Sequence, residues 1–256
     1  MLTVNYDRLG LQPGMTVLDL GAGFGRHAFE TARRGANVVA IDLSLEELVA
    51  TRSTFAAMGY DGQLEHGVAW AVAQADGRWL PFPEATFDRI IASEVLEHVV
   101  DDLSVMTELC RVLKPGGRLA ATVPSAIPEQ ICWWLNEGYH APHRVGGHVR
   151  IYGQPELATK LAASGLTPVD SHRAHALHSP YWWLKCAVGL DNDQNPLVKA
   201  YHKLLVWDIT DAPRLTRSSE RLLNPILGKS LVVYADKGCS RSSGHEAADA
   251  MKRLTP

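Results

Sequence analysis

The run Val-Leu-Asp-Leu-Gly-Ala-Gly-Phe-Gly at 17–25 constrains the fold of this chain more than any other feature. The apolar residues within 16–20 favour a short β-strand, and three glycines follow it directly. Glycine lets the backbone turn tightly and lets a ligand approach closely. A helical pattern over 26–34 begins immediately afterwards, and the first turn of a helix has free N–H groups. The segment therefore predicts a strand–turn–helix unit that binds a small molecule.

Strands and helices alternate along residues 16–123, a pattern typical of a doubly wound parallel sheet. The predicted fold class is α/β: a Rossmann-like, seven-stranded, mostly parallel sheet with helices on both faces and an added cap region. Strands are expected at 16–20, 38–42, 70–75, 87–93, 118–123, 167–174 and 230–236. Helices are expected at 26–34, 44–58, 101–113 and 154–164.

Two long segments, about 124–152 and about 175–228, separate the later strands and are the least regular parts of the chain. Insertions after the carboxyl ends of strands commonly build the substrate site, so we expect these two to form an acceptor cap. A length of 256 residues accommodates one large domain, which we expect over 1–237. The remaining tail, 238–256, is rich in Ser, Gly and Ala and is predicted to be flexible.

Charge, hydropathy and cysteine content argue against several classes of function. The net charge is −3, so no basic excess favours a nucleic-acid partner. No apolar run reaches about 18 residues, so no membrane span is expected, and the first residues lack the pattern of a secretory signal. The four cysteines form no CxxC pair, and a reducing, cytoplasmic location fits them best. The sequence leaves the oligomeric state open, a homodimer included.

An acidic residue before the glycine turn distinguishes this motif from a dinucleotide-binding fingerprint. Gly21, Gly23 and Gly25 follow Asp19, and Arg26 stands where the dinucleotide pattern has its third glycine. The pattern Asp-x-Gly-x-Gly-x-Gly is instead similar to motif I of the class I S-adenosylmethionine-dependent methyltransferases.

This resemblance extends over about residues 14–123 and, weakly, over 148–174. It implies S-adenosylmethionine as the cofactor, with its methionine portion at the glycine turn and its ammonium group near Asp19. Asp42, at the end of the second strand, is expected to accept hydrogen bonds from the ribose hydroxyls, and Asp76 to meet the adenine amino group. The residues implied in cofactor binding are Asp19, Gly21, Gly23, Gly25, Asp42, Leu43, Asp76, Gly77 and Ser93.

The end of the fourth strand carries Glu94, Glu97 and His98, three metal-ligand residue types close together. A strand that runs into a helical turn can bring these positions onto one face. In one interpretation they only form hydrogen bonds with neighbouring loops. The other rests on a resemblance: Glu-x-x-Glu-His with a later His is similar to the divalent-metal site of small-RNA 2′-O-methyltransferases and of ubiquinone-pathway O-methyltransferases. The resemblance implies Mg²⁺, Mn²⁺ or Zn²⁺ at Glu94, Glu97, His98 and His148.

The first insertion contains three histidines close together in the sequence. Besides His148, His140 and His143 are candidates for a general base, because imidazole accepts a proton near neutral pH. Glu94 is the third candidate catalytic residue, since the acceptor hydroxyl is expected to lie close to it.

Aromatic pairs occur in both insertions. They can form a stacking platform for sugar or aromatic rings, or the core of the cap. His172, His175 and His178 are spaced by three, which an extended strand cannot place on one face, so we expect them to be structural. The tryptophans expected to bind the acceptor are Trp133, Trp134, Trp182 and Trp183.

These residues leave three functions open. The first is a metal-assisted O-methyltransferase for a polyhydroxylated small molecule or oligosaccharide, such as a saccharide or glycoside in methylated polysaccharide biosynthesis. The second is a metal-independent methyltransferase for a small apolar acceptor such as a quinone, phenol or lipid. The third is a protein of this fold that binds the cofactor without catalysis. The metal pattern and the tryptophan pairs favour the first.

Overall fold

Seven strands form a single sheet in a computed structural model, which describes residues 1–140, 147–211 and 213–238. The strands are β1 (Thr16–Leu20), β2 (Asn37–Asp42), β3 (Trp70–Gln74), β4 (Phe87–Ser93), β5 (Leu113–Pro124), β6 (Leu166–Ala174) and β7 (Ser230–Lys237). Their order is β3-β2-β1-β4-β5-β7-β6. Strand β7 pairs antiparallel with both neighbours and the remaining pairs are parallel, so the predicted sheet is confirmed.

Helices cover both faces of this sheet. They are α1 (Tyr6–Leu9), α2 (Arg26–Arg33), α3 (Leu45–Tyr60), α4 (Asp102–Val112), α5 (Ala126–Leu135), α6 (Gln154–Ala163), α7 (His178–Val188), α8 (Pro196–Asp211) and α9 (Arg214–Leu227). Successive strand residues point to opposite faces. Leu18 shares a buried cluster with Met106 of α4 and Leu161 of α6, whereas Val17 shares another with Leu9 of α1. The alternating apolar residues of β1 therefore anchor helices on both sides.

The winding of the sheet reverses at β1. This strand lies between β2 and β4, so the connections that follow β1 and β4 leave toward opposite edges of the sheet. In open α/β sheets, ligands bind at such a reversal, beyond the carboxyl ends of the strands. The glycine turn follows β1 at this crevice, Asp42 ends β2 and Ser93 ends β4.

Strand β5 differs from the prediction at its start. It begins at Leu113, directly after α4, whereas the sequence predicts a start at Arg118. Phe87 pairs with Leu113 and Arg89 pairs with Arg118, so the intervening Lys-Pro-Gly-Gly residues form a bulge in the register. Proline and glycine are tolerated in a strand at such irregularities, and the prediction treated them only as a helix stop.

The two insertions consist largely of helices. The first contains α5 and the second contains α7, α8 and α9. Helices α5 and α7 enclose a small apolar cluster around Cys132, Tyr139 and Cys186. Most of the tail that was predicted to be flexible, 239–256, lies outside the described residues, as does 141–146. Among the described residues, no helix combines the length and the apolarity that a membrane crossing requires.

Candidate active site

The glycine turn needs glycine for two reasons. Gly21, Gly23 and Gly25 have φ angles of 68°, 52° and 80°, which residues with a Cβ rarely adopt. A Cβ on Gly21 would lie 2.2 Å from Cγ2 of Val95, and one on Gly25 would lie 2.6 Å from Cζ of Phe29. A Cβ on Gly23 would meet nothing closer than 3.5 Å. The outer two glycines are therefore required by packing, while the middle one leaves room beside the backbone.

Asp19 is buried beneath this turn with one carboxylate oxygen unsatisfied. Its exposure is 1%, and Oδ2 has no hydrogen-bond partner among the described residues. Burial raises the pKa of Asp19 to about 7, against the opposing effect of Arg26. A buried carboxylate oxygen without a donor is costly. The predicted partner, the ammonium group of a methionine moiety, has the charge and the donors that this oxygen lacks.

Asp42 holds the turn in place from the end of β2. The N–H of Gly23 donates to its Oδ2 and the N–H of Ser44 donates to its Oδ1, each at 2.9 Å. Each carboxylate oxygen accepts more than one hydrogen bond, so both can still accept a ribose hydroxyl. Leu43, the next residue, is 66% exposed and offers an apolar surface beside the carboxylate.

The remaining predicted cofactor residues follow β3 and β4. Arg78 bonds the carboxylate of Asp76 at 2.6 Å, and these bonds lower the pKa of Asp76. A Cβ on Gly77 would lie 3.0 Å from Leu20, so this backbone packs tightly on the end of β1. The hydroxyl of Ser93 accepts from Nη2 of Arg26 at 2.9 Å. The nine predicted residues thus lie at, or directly after, the carboxyl ends of four adjacent strands, and their contacts with the cofactor remain predictions.

Three of the four predicted metal ligands meet at one point. Glu97, His98 and His148 each place one ligand atom in a group whose members lie within 4.8 Å of one another. Glu97 is 1% exposed, and neither of its oxygens has a hydrogen-bond partner among the described residues. Nδ1 of His98 donates to the carbonyl of Gly147 at 3.1 Å, which leaves Nε2 free, 3.9 Å from Oε1 of Glu97. Burial lowers the pKa of His98, so its ring is in the neutral form that binds metals.

Glu94, the fourth predicted ligand and a candidate catalytic residue, lies outside this group. The hydroxyl of Thr122 donates to its Oε1 at 2.9 Å. Glu94 has a φ of 58°, a conformation that costs free energy for a residue with a side chain. It is still close enough that its charge adds to burial in raising the pKa of Glu97 well above the ordinary value. Two neighbouring carboxylates therefore face the two imidazoles.

Glu129 of α5 is a site residue that the sequence does not reveal. Nδ1 of His148 lies 2.6 Å from its Oε1 and donates to it, because an ionised carboxylate can only accept. Burial acts to raise the pKa of Glu129, but His148 and the charge of Lys229, 3.6 Å away, bring it below the ordinary value. A carboxylate behind a histidine fixes the tautomer that leaves Nε2 for a metal. No motif marks Glu129, since its partner comes from a different segment.

The histidines proposed as general bases have different outcomes. His140 stacks on His148 with ring centroids 4.3 Å apart and an interplanar angle of 3°. Desolvation and the neighbouring His148 lower the pKa of His140 to about 4, so this ring is neutral at pH 7. His143 lies outside the described residues. The structure therefore brings His140 to the cluster, and the base remains a prediction.

The four tryptophans are not equivalent. Trp133, Trp182 and Trp183 pack against the apolar cluster between α5 and α7, and Nε1 of Trp183 donates to the carbonyl of Pro128 at 3.1 Å. Trp134 is 83% exposed. The ring of Trp182 lies 6.3 Å from that of His140 and thus borders the histidines. Three of the four contribute to the core of the cap, and the acceptor-binding role of all four remains a prediction.

Comparison with known proteins identifies the part of the chain around the glycine turn as a methyltransferase domain. Residues 18–121 match the family profile described as a methyltransferase domain. The 27-O-demethylrifamycin SV methyltransferase of Amycolatopsis mediterranei is 30% identical over 175 residues, which are 68% of this chain and 62% of that protein. The ubiquinone biosynthesis O-methyltransferase of Dinoroseobacter shibae is 31% identical over 168 residues, 61% of this chain and 62% of that protein.

Solved structures show the same fold at low sequence identity. The [4+2]-cyclase SpnF has a TM-score of 0.60 at 19% identity, over 91% of this chain and 79% of that one. Such a likeness establishes the fold alone, because one fold supports several activities. The chain spans between 40% and 62% of the length of the first curated relatives it matches.

Proposed function

We propose, from the premise that residues 18–121 form an S-adenosylmethionine-dependent methyltransferase domain, that the chain methylates a hydroxyl group with the help of a divalent cation. Glu97, His98 and His148 would hold the cation, with Glu94 beside them. Bound S-adenosylmethionine supplies a methyl group already activated on a sulfonium, and a divalent cation lowers the pKa of a hydroxyl that it contacts.

The orphaned carboxylate of Glu97 is the observation that carries this proposal. An ionised carboxylate that is buried with two unpartnered oxygens, next to a second carboxylate, is strongly unfavourable unless a proton or a cation neutralises it, and the neighbouring imidazoles favour a cation here. His98 and His148 are each held at Nδ1 and present Nε2, so the protein has oriented both rings in advance. Two imidazoles and carboxylate oxygens suit Zn²⁺ or Mn²⁺ and accommodate Mg²⁺ less well.

The chain's own residues perform the other parts of the reaction. Asp19 and the glycine turn bind the methionine portion, and Asp42 orients the ribose. Arg26 and Thr122 fix Ser93 at the edge that faces the reacting groups. Holding the hydroxyl in line with the methyl group supplies much of the rate acceleration. His140 or His143 takes the hydroxyl proton.

The acceptor is a small molecule that carries hydroxyl groups, and a saccharide or glycoside is our first candidate. Trp134 is an exposed aromatic surface of the kind that sugar rings contact. The second candidate is metal-independent methylation of a phenol or quinone precursor. The apolar packing of Trp133, Trp182 and Trp183 favours an apolar acceptor of this kind. The similarity to a ubiquinone biosynthesis O-methyltransferase supports the acceptor class alone and does not bear on metal independence.

Calorimetric titration of Mn²⁺ and Mg²⁺ into protein saturated with S-adenosylhomocysteine tests the cation site. We expect binding that is lost in Glu97→Gln and in His148→Ala and kept in Glu137→Gln, a matched change at an exposed glutamate. Methyl transfer to glycosides and to phenols, with and without a chelator, then separates the two candidates. Cation binding that survives both cluster variants, or transfer that is insensitive to the chelator, contradicts metal assistance.

A further inference from the structure

A second cluster of metal-ligand side chains lies in the other insertion. His175, His178 and Glu220 each place one ligand atom in a group whose members lie within 4.8 Å of one another. His175 follows the end of β6, His178 begins α7 and Glu220 belongs to α9. The sequence predicts that the histidines are structural because a strand would separate them. Strand β6 ends at Ala174, as predicted, so the strand argument does not apply to the two residues beyond it. The turn that follows brings their rings to a centroid distance of 5.7 Å.

The charges around this cluster do not balance within the described part of the chain. Asp208 is fully buried and neither of its side-chain oxygens has a hydrogen-bond partner there. Glu220 is 7% exposed and its Oε1 is also unpartnered. Arg217 is the cation beside both carboxylates, 3.6 Å from Asp208 and 3.5 Å from Glu220, without a hydrogen bond to either. One guanidinium faces two buried carboxyl groups, so a proton or a further cation is needed to keep a negative charge from being buried without a partner.

The two histidines present ring nitrogens to this cluster. Nδ1 of His178 is buried and has no hydrogen-bond partner among the described residues. A neutral imidazole with a free nitrogen is the form that binds a metal. The cluster therefore combines two available nitrogen ligands with an excess of carboxylate.

The backbone around the cluster is held in an unusual conformation. His175 has a φ of 68°, and its Nε2 lies 3.1 Å from the hydroxyl of Thr3. The N–H of Ala176 donates to Oδ1 of Asn224 in α9 at 2.9 Å. Such backbone strain persists where the surroundings fix it, and it is found preferentially at functional sites. These contacts orient the cluster in the absence of any ligand.

Helix α9 buries little apolar surface, because its large apolar residues Leu215, Leu222 and Ile226 are exposed. Its buried residues are Thr216 and Glu220, both polar, although most helices bury an apolar stripe. The buried residues of its neighbour α8 include Asp208 alongside Val198 and Leu205. Little buried apolar area therefore holds this part of the second insertion against the sheet. A metal that joins α7, α9 and the end of β6 would supply the attachment that apolar burial does not.

We propose that His175, His178 and Glu220 form a structural zinc site that fastens the second insertion to the sheet, with Asp208 as a neighbouring carboxylate. Zn²⁺ fits best because it accepts imidazole nitrogen and carboxylate oxygen together in small coordination shells. Its positive charge balances the carboxylate that Arg217 leaves unpaired. The site is separate from the cluster of Glu97, His98 and His148 and does not depend on the proposed methylation.

The test measures zinc in the full-length protein. Chelator-treated protein is dialysed against Zn²⁺ and desalted, and its metal content is measured by elemental analysis. The variants are Glu220→Gln, which preserves shape, and His178→Ala; His202→Ala, at an exposed histidine of α8, is the matched control. His148→Ala removes a ligand of the first cluster, so that each site is counted separately.

We expect Glu220→Gln and His178→Ala to lose about one zinc per chain, while His202→Ala loses none. The loss must appear in the His148→Ala background as well. Zinc affinity should fall by more than roughly 10–100-fold, which is the loss expected when a residue that only hydrogen-bonds to a metal ligand is removed. In the His148→Ala background, zinc should raise the melting temperature of the protein, and the addition of Glu220→Gln should abolish that rise. Failure of the wild type to bind zinc overturns the proposal, and so does unchanged zinc content in Glu220→Gln or equal loss in His202→Ala.

Discussion

The two halves of this molecule bury different kinds of residue. Strands β1 to β5 and their helices enclose a continuous apolar cluster in which residues such as Leu18, Ile90 and Leu119 are fully buried. The second insertion buries fewer apolar side chains, and its buried residues include two acidic ones, Asp208 and Glu220. The first half is therefore held mainly by the burial of apolar area, while the second depends more on specific partners. The stability of the second insertion should respond more strongly to bound ions.

A substitution in the glycine turn gives the largest expected effect. Gly21→Ala combines a left-handed backbone with a Cβ that would lie 2.2 Å from Val95. We expect it to lower the free energy of unfolding by up to about 5 kcal/mol, from about 1–2 for the backbone and about 1–3 for the overlap. Urea unfolding measures this difference. Gly14→Ala is the control, because Gly14 has a φ of 79° but nothing within 4 Å of its Cβ position. Equal losses in both variants would contradict the packing argument.

Asp19→Asn should stabilise the free protein in a pH-dependent way. The pKa of Asp19 is about 7 in the folded state and near 3.8 when unfolded. Between these values the unfolded chain is ionised and the folded one is protonated, so stability falls as pH rises and stays lower above pH 7. The cost at pH 8 is on the order of 4 kcal/mol, about three units at roughly 1.4 kcal/mol each.

Urea unfolding at pH 8 and at pH 5 tests this sign. The stabilisation by Asp19→Asn should be large at pH 8 and smaller at pH 5. Binding of S-adenosylhomocysteine should weaken in the same variant. A gain of equal size at both pH values would show that the charge of Asp19 is not the cause.

Glu129→Gln separates the cation site from the cofactor site. Gln still accepts the hydrogen bond from Nδ1 of His148 but lacks the charge that raises the basicity of the ring. We expect cation affinity to fall about 10–100-fold, while affinity for S-adenosylhomocysteine changes little. Calorimetry with each ligand measures both. A loss of cofactor affinity equal to the loss of cation affinity would show that the two sites are not distinct.

The smallest expected effect concerns the starts of two helices, α3 in the sheet half and α5 in the first insertion. The hydroxyl of Ser44 accepts from the N–H of Glu47 and caps α3, as the Ser-x-x-Glu pattern predicts. Ser125 precedes α5, but its buried hydroxyl has no partner among the described residues. Ser44→Ala should lower the free energy of unfolding by about 1 kcal/mol, whereas Ser125→Ala should be neutral or slightly stabilising. Thermal unfolding of both variants measures the contrast, and a larger loss in Ser125→Ala would reverse it.

The sequence predicted candidate site residues that belong to recognisable motifs or strand ends, and it missed those that reach the site from other segments of the chain. The glycine turn and Asp19 are close together in the chain, and Asp42 stands at the end of a predicted strand, so the sequence alone could single them out. Glu97, His98 and His148 were singled out as metal ligands only through a family resemblance, and the roles of all these residues remain predictions. Glu129, Thr122 and Lys229 carry no motif, because their roles arise from segments that meet only after folding.

The second cluster shows why the remaining predictions fell short. His175 and His178 were judged by the geometry of a strand, although both lie beyond Ala174, where β6 ends in the prediction and in the structure alike. Glu220 lies far along the chain in a helix whose pattern gives no reason to notice it. Periodicity reports which face of an element a residue occupies, but not which other element lies opposite.

The sequence by itself determined the α/β alternation, the sheet and the cofactor-binding turn, because these depend on residue periodicity, apolar runs and the conformational freedom of glycine. Only the tertiary structure decided which carboxylates face which histidines. That pairing depends on how the insertions fold back over the sheet, and it joins residues such as His148 to Glu129 and His178 to Glu220. The free energy of a buried charge depends on the partners that surround it, and those partners are set by the fold.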